Sequence, residues 1–536
     1  MRGFISGFCL LLGTWIHGQK LVVGIVVDQM CYDYLQRFDD NFENGGFNRF
    51  LKNGVNCKNT QYNYVPTYTG PGHASIYTGT TPSNHGIVAN DWYDRKLHKT
   101  QYCVLDTNVT GVDQANKYGM SSPHFLTTTT ISDQLKMTYP ASKVISLSIK
   151  DRSAVLPGGH LSDGSYWFDF QSGTFITSSY YQQKLPEWVR EFNLHHAADT
   201  YLSDWNLLLP INRYSRTQDN SPYERSFGGK KSAVFPYTQE EIGRGNYPQF
   251  VVTPFANTQL TDFATTAIVQ EALGKRDATD LLCISYSTPD IAGHEFGPYS
   301  LEIEDIYLRL NQELEKLFKT LDREVGKKNY TVFLTADHAV VPVPQQLVDS
   351  KLPGGYLNVD SIVKALNSQW KTKYGEGLVE KTKNLNVYLK RDRIAALGLT
   401  LSELQHEAAQ VLREHPLVRL AVCAHDLDEG KFQGTLEQML ANGYTKERSG
   451  DVLFLLKPGL ISSSEDTDEA HRGTTHGSGY NYDTHVPLLW YGGRLKAQEI
   501  YRPIAITDIA ATLVYLLELQ RPASMTGNPI VELWEK

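Results

Sequence analysis

The chain has 536 residues, 41% of them hydrophobic, enough for one large core with insertions or for two to four domains. Its 51 basic and 59 acidic residues give a formal charge of −8 with no block of like charge. That excludes a basic nucleic-acid surface, and it leaves the capture of any anionic substrate to a local site.

The first stretch, MRGFISGFCLLLGTWIHGQK, combines one Arg, an apolar run from Phe4 to Ile16 and small or polar residues at Gly18 and Gln19. It predicts a secretory signal peptide over residues 1–19 and a periplasmic or secreted mature protein. No later stretch approaches the roughly 18 apolar residues of a membrane helix, so no membrane span is expected. Five cysteines follow this segment with no Cys-x-x-Cys pair; a disulfide is permitted, but no pairing can be read from the spacing. Cys283, inside an apolar run, reads as core.

Four apolar, β-branched runs each stop at a charged residue. LVVGIVV ends at Asp28, KVISLSI at Lys150, LLCISYS leads through Thr-Pro to Asp290, and TVFLTA ends at Asp337. Unbroken apolar runs of this length suit strands buried on both faces of a parallel sheet. Helical patterns lie between them, over Thr261–Leu273 and most clearly over Leu301–Val325, where Ile303, Ile306, Leu310, Leu314, Leu317 and Leu321 recur at spacings of three and four. The alternation predicts an α/β fold: a large, mostly parallel sheet with helices on both faces and ligands beyond the strands' carboxyl ends.

Between the first two of these strands lies NYVPTYTGPGHASIYTG, residues 63–79. It reads as a turn entering a helix, where unpaired N–H groups attract anions and the glycines allow close approach to a ligand. Thr69 is either a nucleophile aimed at a bound anion or a Thr N-cap; these residues alone leave both open. Two segments interrupt the alternation. Residues 156–257, rich in Tyr, Trp, Ser and Gly, read as a loop-rich insertion with short strands. Residues 342–468 read as a small inserted domain with its own helices, including Ser402–Glu414. The core then comprises 20–341 and 469–536. Its last part contains a strand-like THVPLLWYGG and a helical AITDIAATLVYLLEL.

Histidines stand beside the strand-end acids. Asp290 and His294 are four apart, on one face of a helix; Asp337 and His338 are adjacent; His476 lies in the Gly-rich RGTTHGSGYNYDTHVP. Three Asp and three His exceed one tetrahedral metal and suffice for two sharing a substrate oxygen. His98 and the His195-His196 pair have no such company and read as surface or core residues.

Asp28, TGPGH, GIVAND, SIKDR, DIAGH, ADH and GTTHGS, in this order, resemble the alkaline phosphatase superfamily, and within it the bacterial phosphate-irrepressible (PafA-type) enzymes. The resemblance spans essentially the whole mature chain. It implies a monomeric, zinc-dependent phosphomonoesterase that acts on small phosphate monoesters by in-line transfer through a phosphothreonine. Thr69 would be the nucleophile. Asp290, His294 and His476 would hold one zinc; Asp28, Asp337 and His338 would hold the other, together with the Thr69 oxygen. Asn90, Lys150 and Arg152 would bind the phosphoryl oxygens, and His73 would be structural. The residue reading gave the ligands without dividing them between two metals; the resemblance makes the division. The rival is a nucleotide pyrophosphatase/phosphodiesterase, which shares the Thr, the Asn and the ligands, and a non-catalytic phosphate-binding relative is a weaker alternative. A sulfatase, suggested by the spacing of Thr-Gly-Pro-Gly-His, is disfavoured because Thr69 cannot be oxidised to formylglycine.

Overall fold

A computed structural model describes residues 19–113, 116–463 and 471–534. The expected signal peptide lies outside the described residues but for Gln19. Nine strands form one sheet: β1 (Leu21–Val27), β2 (Val55–Cys57), β3 (Val144–Ser148), β4 (Gly164–Asp169), β5 (Thr174–Ile176), β6 (Asp280–Tyr286), β7 (Tyr330–Thr335), β8 (Leu488–Gly492) and β9 (Gln498–Ile500). Their spatial order is β9-β2-β8-β7-β1-β6-β3-β4-β5. The five strands from β7 to β4 run parallel, and β8 and β5 pair antiparallel at either side. Every residue of β1, β3, β6 and β7 is buried, as strands covered on both faces require.

The pairing register sets the site. Val26 stands opposite Thr335 and Ser285, and Ser148 opposite Ser285. Two residues beyond these partners come Asp28, Asp337 and Lys150, so three charged side chains leave the sheet side by side at its carboxyl edge. The helices that deepen this edge are α1 (Thr69–Thr78), α2 (Asp151–Gly158), α3 (Phe255–Gln270), α4 (Thr288–Phe296) and α5 (Leu301–Glu324). The α5 stripe read from the sequence is buried throughout, from Ile303 to Leu321. Helix α3 begins six residues earlier than its periodicity suggested.

The stretch 156–257 is not all loop. It supplies β4 and β5 to the central sheet as well as a helix, Glu187–His195. Within 342–468, strands Val379–Lys383, Asn386–Leu389, Val418–Cys423 and Val452–Leu456 form a separate sheet. With helices Val359–Tyr374 and Leu401–Glu414 they enclose a second apolar cluster around Trp370, Leu404, Leu412 and Phe454. Cys31, Cys57, Cys103, Cys283 and Cys423 all carry free thiols, and Cys283 is core. Among the described residues no helix is long and apolar enough to cross a membrane.

Gly24, in the middle of β1, shows how tightly the sheet is covered. A Cβ there would come within 2.4 Å of the Tyr77 hydroxyl on α1 and 2.5 Å of Cζ of Phe333 on β7. Overpacking of this kind costs about 1–3 kcal/mol. Gly24→Ala should therefore lower the melting temperature measured by calorimetry; an unchanged value would mean that α1 does not press on β1 as described.

Candidate active site

Three helix N-termini and four strand ends meet in one cleft. Thr69 is the first residue of α1, preceded by Tyr68 as its cap, so Thr69 does not serve as the N-cap. The residue is 1% exposed, and its hydroxyl lies 3.5 Å from Nε2 of His338 and 3.5 Å from Nη2 of Arg152. The adjacent Gly70 N–H donates to Asn90 Oδ1 at 2.7 Å, which fixes the amide and leaves its nitrogen as the donating end. Lys150 caps α2 and Arg152 is its second residue. Asp290 sits in the first turn of α4, where the helix dipole favours a carboxylate.

Six side chains of metal-ligating type converge there. Oδ1 of Asp290 is 3.2 Å from Nε2 of His294 and 3.5 Å from Nε2 of His476. Nε2 of His338 is 3.5 Å from Asp28 Oδ1 and 3.7 Å from Asp337 Oδ2. The ligand atoms of Asp290, His294 and His476 form one close group, and those of Asp28, Asp290 and His338 form another. Asp290 thus faces both halves, whereas Asp337 stands at the margin of the second. Each imidazole is held from behind through Nδ1: His294 on the Thr474 carbonyl (2.8 Å), His476 on Thr67 (2.7 Å) and His338 on Ala339 (3.1 Å). That contact turns each Nε2 into the cleft, the orientation metal-binding histidines adopt.

The electrostatics are those of an anionic cage. Burial, and then the charge of Asp28, lifts Asp337 far above the carboxylate range; burial and Asp290 lift Asp28. Burial opposes ionisation of Asp290 too, but His294 and Lys150 together hold it well below its ordinary value. Burial keeps His338 and His476 low, ready to present lone pairs. Asp28 Oδ1 and Asp337 Oδ2 are buried and accept no hydrogen bond from any described residue. Buried carboxylate oxygens left in this way, opposite anchored imidazoles, fit divalent cations.

Lys150 departs from its expected direction. Its Nζ donates to Asp28 Oδ2 at 2.7 Å and to Asp290 Oδ2 at 2.5 Å, so it lies among the carboxylates and not against Thr69. Arg152 points at Thr69 and is steadied by Tyr102, whose hydroxyl it contacts at 3.2 Å and which itself donates to Asp151. His73 fits its structural reading: buried, held down to about 3 by desolvation, and bridging the Thr69 carbonyl to the Ser285 hydroxyl. His98 pairs with Glu380 and His195 with Glu191, and neither enters the cleft.

Sequence reasoning missed Gln29. It adopts φ = +65°, is 2% exposed, donates from its side chain to Asp290 Oδ1 at 2.6 Å, and donates from its backbone N–H to Asp337 Oδ1 at 3.2 Å. One residue thus orients two candidate ligands, one on α4 and one just beyond β7. A polar residue at the tip of an apolar strand was the available signal.

Residues 22–479 match the family described as type I phosphodiesterase / nucleotide pyrophosphatase, and the chain belongs to that family. Within the wider alkaline phosphatase superfamily, the PafA-type resemblance read from the motifs is borne out. The chain is 40% identical to alkaline phosphatase PafA of Elizabethkingia meningoseptica, over 96% of this chain and 94% of that protein. It is 39% identical to alkaline phosphatase PhoV of Synechococcus elongatus, over 96% and 92%. The crystal structure of wild-type PafA superimposes with a TM-score of 0.92 at 38% identity, covering 96% of this chain and 99% of that one. A second PafA structure carries substitutions of a Thr, an Asn, a Lys and an Arg in that chain order. These are the residue types, in the order, of Thr69, Asn90, Lys150 and Arg152.

The loop bearing His476 gives a test that depends on pH. Asp483 accepts from the Ser478 N–H at 2.7 Å and from its hydroxyl at 2.6 Å, while burial pushes its carboxyl up to about 7. The folded form keeps this proton when the unfolded form, near 3.9, has lost it, so stability falls as pH rises from about 4 to about 7 and then levels. Asp483→Asn cannot ionise. Relative to wild type it should gain stability between pH 4 and 8, by up to about 4 kcal/mol. A difference in melting temperature that stays constant with pH would contradict the assignment.

Proposed function

We infer that the chain is a zinc-dependent alkaline phosphatase that hydrolyses phosphate monoesters to an alcohol and phosphate through a phosphothreonine on Thr69. The observation that carries this reading is the position of the Thr69 hydroxyl. It heads α1, lies 3.5 Å from both His338 and Arg152, and fronts six convergent carboxylates and imidazoles. The phosphatase names of relatives near 40% identity support the same substrate class. The apolar run Phe4–Ile16 supports export from the cytoplasm.

In this reading Asp290, His294 and His476 hold one zinc, and Asp28, Asp337 and His338 with Thr69 the other. When bound, the ions supply Lewis-acid charge that stabilises oxyanions near neutral and alkaline pH. The chain's own groups do the rest. The Thr69 N–H at the head of α1 and the guanidinium of Arg152 receive the phosphoryl oxygens, and the Asn90 amide nitrogen, its oxygen pinned by the Gly70 N–H, donates to a third position. Thr69 Oγ gives up its proton and bonds to phosphorus as the ester oxygen departs with the electron pair and takes up a proton to leave as the alcohol. Water then cleaves the phosphothreonine and restores the hydroxyl. The retained contacts of His73 and Gln29 keep α1 and the acids in register through both halves.

A second reading, a nucleotide pyrophosphatase/phosphodiesterase, is favoured by the description of the matching family. The two part at Arg152. A monoester dianion offers its oxygens to a cation, whereas a diester has a second organic group on one of them. Hydrogen bonds to charged groups are worth about 1.5–3 kcal/mol. Arg152→Ala should therefore lower monoester kcat/KM about ten- to a hundredfold and diester hydrolysis far less. Equal losses, or a wild-type preference for diesters, would favour the second reading.

The nucleophile is tested separately. Thr69→Ala should fold, retain its metal and lose about a thousandfold or more of kcat. Acid-quenched wild-type enzyme should carry phosphate on Thr69 by mass spectrometry. Full turnover by the variant would remove Thr69 from the role.

A further inference from the structure

Away from the cleft, one further group of ligand-type side chains stands together among the described residues, on the smaller sheet. His406 lies on helix Leu401–Glu414, Cys423 ends strand Val418–Cys423, and Asp426 lies in the turn of helix, Ala424–Asp428, that follows. Nε2 of His406 is 3.1 Å from Asp426 Oδ1 and 3.6 Å from Cys423 Sγ. Ligands of a tetrahedral zinc, bound at about 2.0–2.3 Å, stand about 3.3–3.8 Å apart. The two distances from Nε2 are therefore already close to that spacing, and all three atoms lie within 4.8 Å of one another.

The hydrogen bonding argues the same way. Nδ1 of His406 is 2.7 Å from the Ser402 carbonyl, which only an N–H can satisfy. That contact anchors the ring from behind and turns Nε2 toward both the Asp426 carboxylate and the Cys423 thiol, the orientation of a metal-binding imidazole. A Cys-His-Asp nucleophile relay is excluded by the connectivity, since thiol and carboxylate share Nε2 instead of taking one nitrogen each. The thiol is no free nucleophile either, because burial and the neighbouring Asp426 push it up to about 11. The other facing groups are already engaged: His425, its ring 5.8 Å from that of His406, contacts Glu429 at 3.3 Å, and Lys431 pairs with Glu429.

We propose that His406, Cys423 and Asp426 bind one zinc ion, with water as the fourth ligand. The mixed sulfur, nitrogen and oxygen set suits zinc over calcium or magnesium. Cys423 approaches from the buried side, while the His406 and Asp426 side chains are 47% and 25% exposed, leaving an open face for entry and for the water. Binding replaces the thiol proton, which passes to solvent, and ties the helix to the strand end.

The test uses the full-length protein, loaded with excess zinc and gel-filtered, as wild type, Cys423→Ser and His406→Ala. The exposed position of His406 makes the second variant the one least able to disturb folding. Elemental analysis should find one more equivalent of zinc in wild type than in either variant, with hydrolysis of a chromogenic phosphate ester unchanged. Cobalt-loaded wild type should show a thiolate-to-cobalt charge-transfer band that Cys423→Ser lacks. Equal metal content in wild type and His406→Ala, or no such band in cobalt-loaded wild type, overturns the proposal. Because the comparison is between variants that retain the cleft, the result is independent of how many ions the cleft itself holds.

Discussion

Asp28, Asp290 and Asp337 bury three carboxylates in one cleft, and the ammonium of Lys150 reaches only two of them. Like charges about 4 Å apart repel by about 4 kcal/mol even at the effective dielectric of a protein edge. Such a cluster stands only if protons or cations occupy it, and the architecture around it is arranged for cations. Three imidazoles are locked from behind by backbone carbonyls, and two carboxylate oxygens are left without donors. The cluster follows directly from in-register parallel pairing, which carries equal positions beyond β1 and β7 to the same edge.

Opposite this anionic cage lies a positive wall. The N-termini of α1 and α2 bring their positive dipole ends and Arg152 to the same opening, with the Thr69 hydroxyl on the seam between the two halves. On the proposed phosphatase reading, a phosphoryl group would satisfy both halves at once, its anionic oxygens facing the helix ends and Arg152 and the carboxylate side holding the cations. Gln29 and His73 lock the seam, the one joining the acid on α4 to the acid beyond β7 and the other joining α1 to β6. Both fix the relative positions of α1 and the acids on which the proposed transfer would depend.

Much of this was legible in the sequence because the informative residues interrupt strong local patterns. An apolar strand that stops at Asp28 or Asp337 announces both the strand and its functional end, and the α5 stripe announces its buried face. What was illegible depended on non-local partners. β4 and β5 are short, and only their pairing with β3 and with each other gives them places in the central sheet, so residues 156–257 read as an insertion with short strands and not as part of the sheet. The carbonyl anchors behind His294 and His476 lie 180 and 409 residues away from them. Lys150 stands at its expected strand end, but its contacts with Asp28 and Asp290 could not be read from sequence, because the ends of a flexible four-carbon chain find partners far away in the chain. The residues gave six ligands, whereas their division into two sets came from family resemblance. Asp290, which faces both groups, explains why spacing could not supply it.

The account therefore turns on whether these side chains hold two ions. Anomalous diffraction from crystals of the zinc-loaded protein, recorded on both sides of the zinc edge, tests it most directly. Two peaks are expected inside the cleft, one bounded by Asp290, His294 and His476 and the other by Asp28, Asp337 and His338, with Thr69 beside the second. A single peak in the cleft, or none, in crystals of catalytically active protein would contradict it.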